Sequence, residues 1–168
     1  SWMESLPDDW YTLPKNNLSK VVTARCPVDV FVFDENSNLV GRVIDNIVDE
    51  NIYNSVEINI QGANEDEKEI VLPGFSNYKI ILVANDNGEL SYSIEEICIE
   101  DGTVLSNHEY NDIRLFPGKT IVNEIPESEV VDEGTINDLT LNLYSITEYG
   151  ESISINNNGK EEEIDKSC

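Results

Sequence analysis

The chain is expected to fold as an all-β protein, an antiparallel β-sandwich, and three observations carry that expectation. Between residues 22 and 125 apolar residues alternate with polar ones, as where Val56, Ile58 and Ile60 are interleaved with Glu57, Asn59 and Gln61. A period of two puts successive side chains on opposite faces of a strand and fits a sheet with one face buried. Corners rich in Asp, Asn, Gly and Pro recur roughly every 8 to 12 residues, the spacing of sandwich and barrel domains. Finally, 168 residues suffice to bury roughly two-thirds of the unfolded surface in one core, so a metal or disulfide staple is optional.

The first twenty residues stand apart. Trp2, Met3, Leu6, Trp10, Tyr11 and Leu13 crowd around Pro7 and Pro14, and Pro7-Asp8-Asp9 fits the opening of a short helix, where proline is tolerated and carboxylates favour the dipole. Residues 1–20 read as a leader that packs on the sandwich or ends an upstream domain. From Val21 onward Val22, Ala24, Cys26, Val28, Val30 and Val32 share one face of a long strand whose other face carries Phe31 and Phe33. Apolar residues on both faces predict a central position. Residues 34–38 supply the turn and 39–45 return as its partner, with Gly41 marking a bulge or a close backbone approach.

Further strands are expected at 55–61, 68–72, 78–84, 90–99, 111–116 and 120–125, joined by corners such as Pro73-Gly74, Asp86-Asn87-Gly88, Asp101-Gly102 and Pro117-Gly118. Within 90–99 the apolar parity moves from Leu90, Tyr92 and Ile94 to Ile97 and Ile99, which predicts an extra residue, a β-bulge, near Glu95-Glu96. Residues 126–138 are acidic and read as a linker or long loop. Leu139, Leu141 and Leu143, then Ile153 and Ile155, predict a late hairpin. The sandwich domain thus spans 21–155, and 156–168 read as a frayed acidic tail.

Thirty-four acidic residues against ten basic ones give a net charge of −24. Such a surface repels phosphate backbones and anionic headgroups, which argues against nucleic acid and membrane surfaces as partners. No stretch reaches the ~20 apolar residues that span a bilayer, and the first residues lack the basic start and apolar block of a signal peptide. Apolar residues make up 39% of the chain, too many for a disordered acidic segment.

Candidate chemistry is sparse. Asp34, Asn36 and Asn38 alternate, and Asp45 falls at the twelfth position counted from Asp34, an arrangement that resembles a calcium loop. The sixth position holds Leu39 where glycine is wanted, so a plain hairpin turn in which these side chains cap backbone amides is preferred, and no cofactor is expected. Cys26, Cys98 and Cys168 match no zinc spacing; the first two read as buried apolar residues on strands, a Cys26–Cys98 disulfide being the lesser alternative. Cys98 with the sole histidine, His108, is the one Cys/His pairing open to nucleophilic catalysis, and no Gly-x-Ser-x-Gly elbow accompanies it. Trp2, Trp10, Tyr11, Tyr53, Tyr110 and Tyr149 are the aromatic rings available for stacking on sugars or on a protein partner.

Cys26-Pro27-Val28-Asp29-Val30-Phe31-Val32-Phe33-Asp34, continuing to Asn38-Leu39-Val40-Gly41, is followed by Leu72-Pro73, by Tyr78-Lys79-Ile80-Ile81-Leu82-Val83-Ala84-Asn85-Asp86-Asn87-Gly88 and by Tyr92-Ser93-Ile94-Glu95. Together these resemble a module found in large secreted proteins of gut-type Gram-positive bacteria, over roughly residues 21–125. Ser37 departs from the glycine usual in the turn. The resemblance implies an Ig-like β-sandwich without catalytic residues of its own, often near the C-terminus of a hydrolase or repeat protein.

The expected function is therefore that of a non-catalytic accessory or interaction module of a secreted or cell-surface bacterial protein, in contact with a neighbouring domain or another extracellular protein. Two alternatives differ in kind: a carbohydrate-binding module with a glycan ligand, and the C-terminal fragment of a secreted hydrolase, whose activity would depend on His108.

Overall fold

A computed structural model describes residues 17–52, 56–62, 67–132, 135–136 and 142–162. The strands are β1 (Leu18–Arg25), β2 (Val28–Phe33), β3 (Leu39–Ile44), β4 (Ile47–Val48), β5 (Glu57–Gln61), β6 (Glu67–Pro73), β7 (Tyr78–Ala84), β8 (Gly88–Cys98), β9 (Val104–Leu115), β10 (Thr120–Ile125), β11 (Val130–Asp132), β12 (Thr135–Ile136), β13 (Asn142–Ile146), β14 (Ser152–Ile155) and β15 (Glu161–Glu162). One sheet has the order β5-β6-β1-β8-β9, the other β15-β14-β13-β10-β7-β2-β3-β4, and β11 and β12 form a small separate ribbon. The two large sheets are antiparallel and pack face to face as a sandwich.

The neighbour order follows that of a variable-type immunoglobulin sandwich, with β1 to β7 in the places of B, C, C′, C″, D, E and F and β10 in that of G. There are two departures. The place of strand A is filled by β8, which follows F in the chain and brings β9 with it as an outer strand, and β13, β14 and β15 extend the second sheet beyond G.

Inward side chains from both sheets make one core. Val22, Ile70, Leu72, Leu90, Ile94 and Ile113 meet Val30, Val32, Val43, Ile80, Leu82 and Ile121, all fully buried. Each such side chain contributes roughly 1.5–3 kcal/mol relative to exposure. Parity along the chain therefore encodes the fold well.

The expected single strand from 21 to 33 is in fact two. Pro27 has no N–H to give a ladder, the Val28 N–H bonds back to the Cys26 carbonyl at 2.8 Å, and the chain passes from one sheet to the other. Val22, Ala24, Val28 and Val30 all remain inward across this corner, which is why the parity looked continuous. Cys26 and Cys98 sit beyond opposite ends of β1, since Leu18 pairs with Cys98 and Arg25 with Ser91, and they are not joined.

Gly41 lies at a register shift opposite Val32 and Phe33, and a Cβ there would come within 2.8 Å of Ile58 Cδ1 on the facing sheet. Asp45 and Asn46, with φ of 51° and 61°, make a two-residue turn of the primed type that suits hairpins and adds β4, which the sequence reading lacked. The bulge expected near Glu95-Glu96 is absent from β8. Burial alternates without a break to Cys98, so Glu96 points inward and Ile99 outward. The extra residues lie on the partner strand: Glu96 and Ile97 face Ser106 and Val104, and Leu90 and Tyr92 face Ile113 and Tyr110. Asp112, with φ of 59°, sits in the second of these bulges.

Residues 126–128, expected as linker, are fastened to the sandwich. Glu127 N–H donates to Asn77 Oδ1 at 2.7 Å, and Ser128 N–H to the Gly74 carbonyl at 2.8 Å. Residues 156–162 lie in the stretch expected to fray, yet β15 pairs with β14, and Asn156 Oδ1 caps the amides of Asn158 and Lys160 at 3.0 Å. Of the leader expected over residues 1–20, Leu18, Ser19 and Lys20 belong to β1; residues 1–16, with its expected short helix, and residues 163–168 lie outside the described residues.

The turn before β15 is pressed onto the bulge in β9. Asn111 N–H donates to the Asn157 carbonyl at 3.1 Å, and Gly159 has φ of +79° with space for a Cβ only 2.3 Å from the Asn111 carbonyl oxygen. Gly159→Ala is expected to cost about 1–3 kcal/mol through the left-handed backbone alone, more with the clash. The thermal midpoint should fall and amides of β14 and β15 should exchange faster; an unchanged midpoint with unchanged exchange would contradict this docking.

Candidate functional site

Asp34 closes the β2–β3 turn. Its Oδ1 accepts from the Asn36 and Asn38 amides, both at 2.9 Å, and Oδ2 from Asn38 Nδ2 at 3.4 Å. The Asn38 amide bond is the main cause that holds the Asp34 carboxyl below its usual range. Ser37 takes the left-handed conformation, φ 64°, that glycine would otherwise supply. Asp45 stands at the far end of β3, in the β3–β4 turn, where its N–H donates to Asp29 Oδ1 at 3.1 Å. The four residues of the proposed calcium loop thus occupy opposite ends of one hairpin.

The aromatic candidates are not gathered either. Tyr110 is half-buried on β9, its ring centroid 6.5 Å from that of Tyr92, whereas Tyr149 is 84% exposed in the β13–β14 turn. Trp2, Trp10, Tyr11 and Tyr53 lie outside the described residues. His108 pairs with Ile94, four positions along β8 from Cys98, so the Cys/His pairing does not form.

A cluster that the sequence reading missed lies beneath the end of the sandwich where β1 begins. Lys20 and Glu96 are cross-strand neighbours on the inner face and both are fully buried. Lys20 Nζ donates to the Gly74 carbonyl at 3.3 Å. Glu96 accepts from Ser106 Oγ at 2.7 Å and, through its other oxygen, from Ser128 Oγ. Burial lowers the Lys20 amine to about 8, partly offset by the charges of Glu96 and Glu127. A serine beside a lysine of depressed pKa is the raw material of a nucleophile, but Ser128, Lys20 and Glu96 are each fully buried, closed to any substrate in this conformation. What the cluster does is hold residues 126–128 against β1, β8 and Gly74. Deeper in the core, Asn123 Nδ2 donates to Tyr92 Oη at 2.6 Å.

Two surfaces remain open at this same end. Asn17 and Leu18 carbonyls accept from the Ile99 and Gly74 amides at 2.8 and 2.9 Å, and around them Phe75, Ile99 and Val104 are 50%, 57% and 52% exposed. On the outer face of the second sheet, a groove of about 620 Å³ is lined by Phe33, Ile81, Pro126, Asp34, Glu35 and Glu124 among others. Glu124 there accepts from Asn142 Nδ2 at 2.9 Å and lies 3.9 Å from Lys79 Nζ.

No family model matches the chain, and neither a curated protein nor a solved structure shows significant similarity to it.

Proposed function

We propose that the chain is a non-catalytic accessory module of a secreted or cell-surface bacterial protein, and that it meets a neighbouring domain or another extracellular protein through the end at which β1 begins. One observation carries the reading: three large apolar residues on elements that meet at the start of β1, Phe75 after Gly74, Ile99 after Cys98 and Val104 opposite Ile97, are each about half exposed. Exposed apolar side chains grouped in one place mark contact surfaces, whereas scattered ones do not. The buried Lys20–Glu96 cluster supports it by making that end rigid, since a surface ordered in advance loses less entropy on binding. The likeness of residues 21–125 to modules of large secreted proteins points to the same cellular setting.

The test is a titration of this chain with the folded domain encoded beside it, followed by unfolding of the tandem protein. Binding in the micromolar range is expected, with a raised unfolding midpoint for the sandwich in tandem. The triple variant Phe75→Asp, Ile99→Asp, Val104→Asp should lose both effects while keeping its own midpoint. Superimposable curves for the wild type and the variant, alone and in tandem, would reject the reading.

A further inference from the structure

The groove on the outer face of the second sheet combines an apolar floor with an acidic rim. Phe33, Ile81 and Pro126 supply the floor; Asp34, Glu35 and Glu124 supply carboxylates, and Lys79 is the one cation among the lining residues. Strand pairing sets its direction. Phe33, Lys79, Glu124 and Asn142 form one rung across β2, β7, β10 and β13, and Phe31, Ile81, Val122 and Tyr144 the next. Three interstrand spacings make the rung about 14 Å long, the reach of about four extended residues.

Charge decides among occupants. A second copy of a chain with net charge −24 repels the rim, and residues 1–16 carry Glu4, Asp8 and Asp9 against a single Lys15. We propose that the groove takes a short extended segment of another protein in which apolar residues alternate with lysine or arginine. The alternation of an extended chain sends apolar side chains to Phe33 and Ile81 and leaves cations beside Glu35 and Glu124. Asp34 remains ionised in this role because the amides of Asn36 and Asn38 hold its carboxyl below the usual range. Lys79, 3.9 Å from Glu124, competes with the incoming cation.

The experiment measures fluorescence anisotropy of a labelled, amidated leucine–lysine hexapeptide of alternating sequence, with a hexalysine and a leucine–glutamate hexapeptide as comparisons. Saturable binding with a Kd on the order of 10 μM is expected for the leucine–lysine probe. Reversing Glu35 and Glu124 to lysine should weaken it about tenfold or more. Phe33→Ala should weaken it about fivefold, and Lys79→Ala should tighten it, which a purely structural role for Lys79 would not produce.

Hexalysine binding as tightly as the leucine–lysine probe would overturn the proposal. So would an affinity untouched by Phe33→Ala, an equal loss on reversing the remote, exposed Glu57 and Glu148, or no saturable binding up to about 1 mM. Phe33, Lys79 and Glu124 lie on the outer face and Glu35 in the β2–β3 turn, and unchanged melting of each variant certifies its fold. The outcome is independent of the contact around Phe75, Ile99 and Val104, which the triple aspartate variant tests by itself.

Discussion

Glu96→Ala is expected to lower the unfolding free energy by about 3 kcal/mol or more, the range for removing one member of a buried charged pair. The loss has two sources. Lys20, fully buried on the facing position of β1, is left without the neighbouring charge that sustains its ammonium. The hydroxyls of Ser106 and Ser128 lose their acceptor, and each buried donor without a partner costs about 1–3 kcal/mol. Replacing both members, as in Lys20→Met with Glu96→Leu, should recover the share of the loss that comes from the unpaired ammonium, because apolar residues of similar volume avoid that desolvation penalty. It should leave the share that comes from the two serine hydroxyls. Urea unfolding of the two single variants and the double variant measures this coupling. A Glu96→Ala variant as stable as the wild type would show that the cluster holds nothing in place.

Alkaline solution should make the protein more stable before it makes it less so. Burial brings the Lys20 amine from 10.5 down to about 8. Between those values the unfolded chain binds more protons than the folded one, so stability rises with pH across that window. The depression corresponds to about 3 kcal/mol at neutral pH, at 1.36 kcal/mol per pH unit. Tyrosines act in the opposite direction. Burial raises the phenol of Tyr92 far above its usual 10.0, and Tyr110 and Tyr144 are raised as well, in each case mainly by desolvation. The unfolded chain releases those protons first, and stability falls once the pH passes the ordinary tyrosine range. A maximum near pH 10 is therefore expected in a series of chemical denaturation curves. Lys20→Met should remove the rise between pH 8 and 10 and keep the fall above it. A wild-type curve that declines steadily from pH 8 would exclude a buried, readily neutralised lysine.

The parts legible in the sequence are those where burial follows apolar character. Residues 78–84 and 120–125 were expected as strands and are β7 and β10 with those bounds, because their inward positions are nearly all aliphatic. Parity was also informative across Cys26-Pro27, where it hid the change of sheet. It failed at Glu96. Polar residues were counted as outward, so an inward glutamate looked like a slip in the pattern, and the true irregularities, which lie on β9 opposite, left no mark in the apolar spacing. Lys20 escaped notice for the same reason. The Asp34 turn was legible through side-chain capping, whereas Phe75, Ile99 and Val104 come from two separate loops and the first position of β9 and are brought to one end only by folding.

The placement of β8 beside β1 bears on the order in which the protein can be completed. Ser19 must wait for Pro73 and Leu18 for Cys98, so the first strand emerges from the ribosome long before either flank exists. Contacts so distant in sequence slow folding, since loop closure precedes the reward of pairing. Nascent chains stopped short of residue 98 would leave one edge of Leu18–Arg25 bare, an invitation to pair with other chains. The full-length chain closes that edge as soon as Gly88–Cys98 is made, well before its C-terminal hairpin is synthesised.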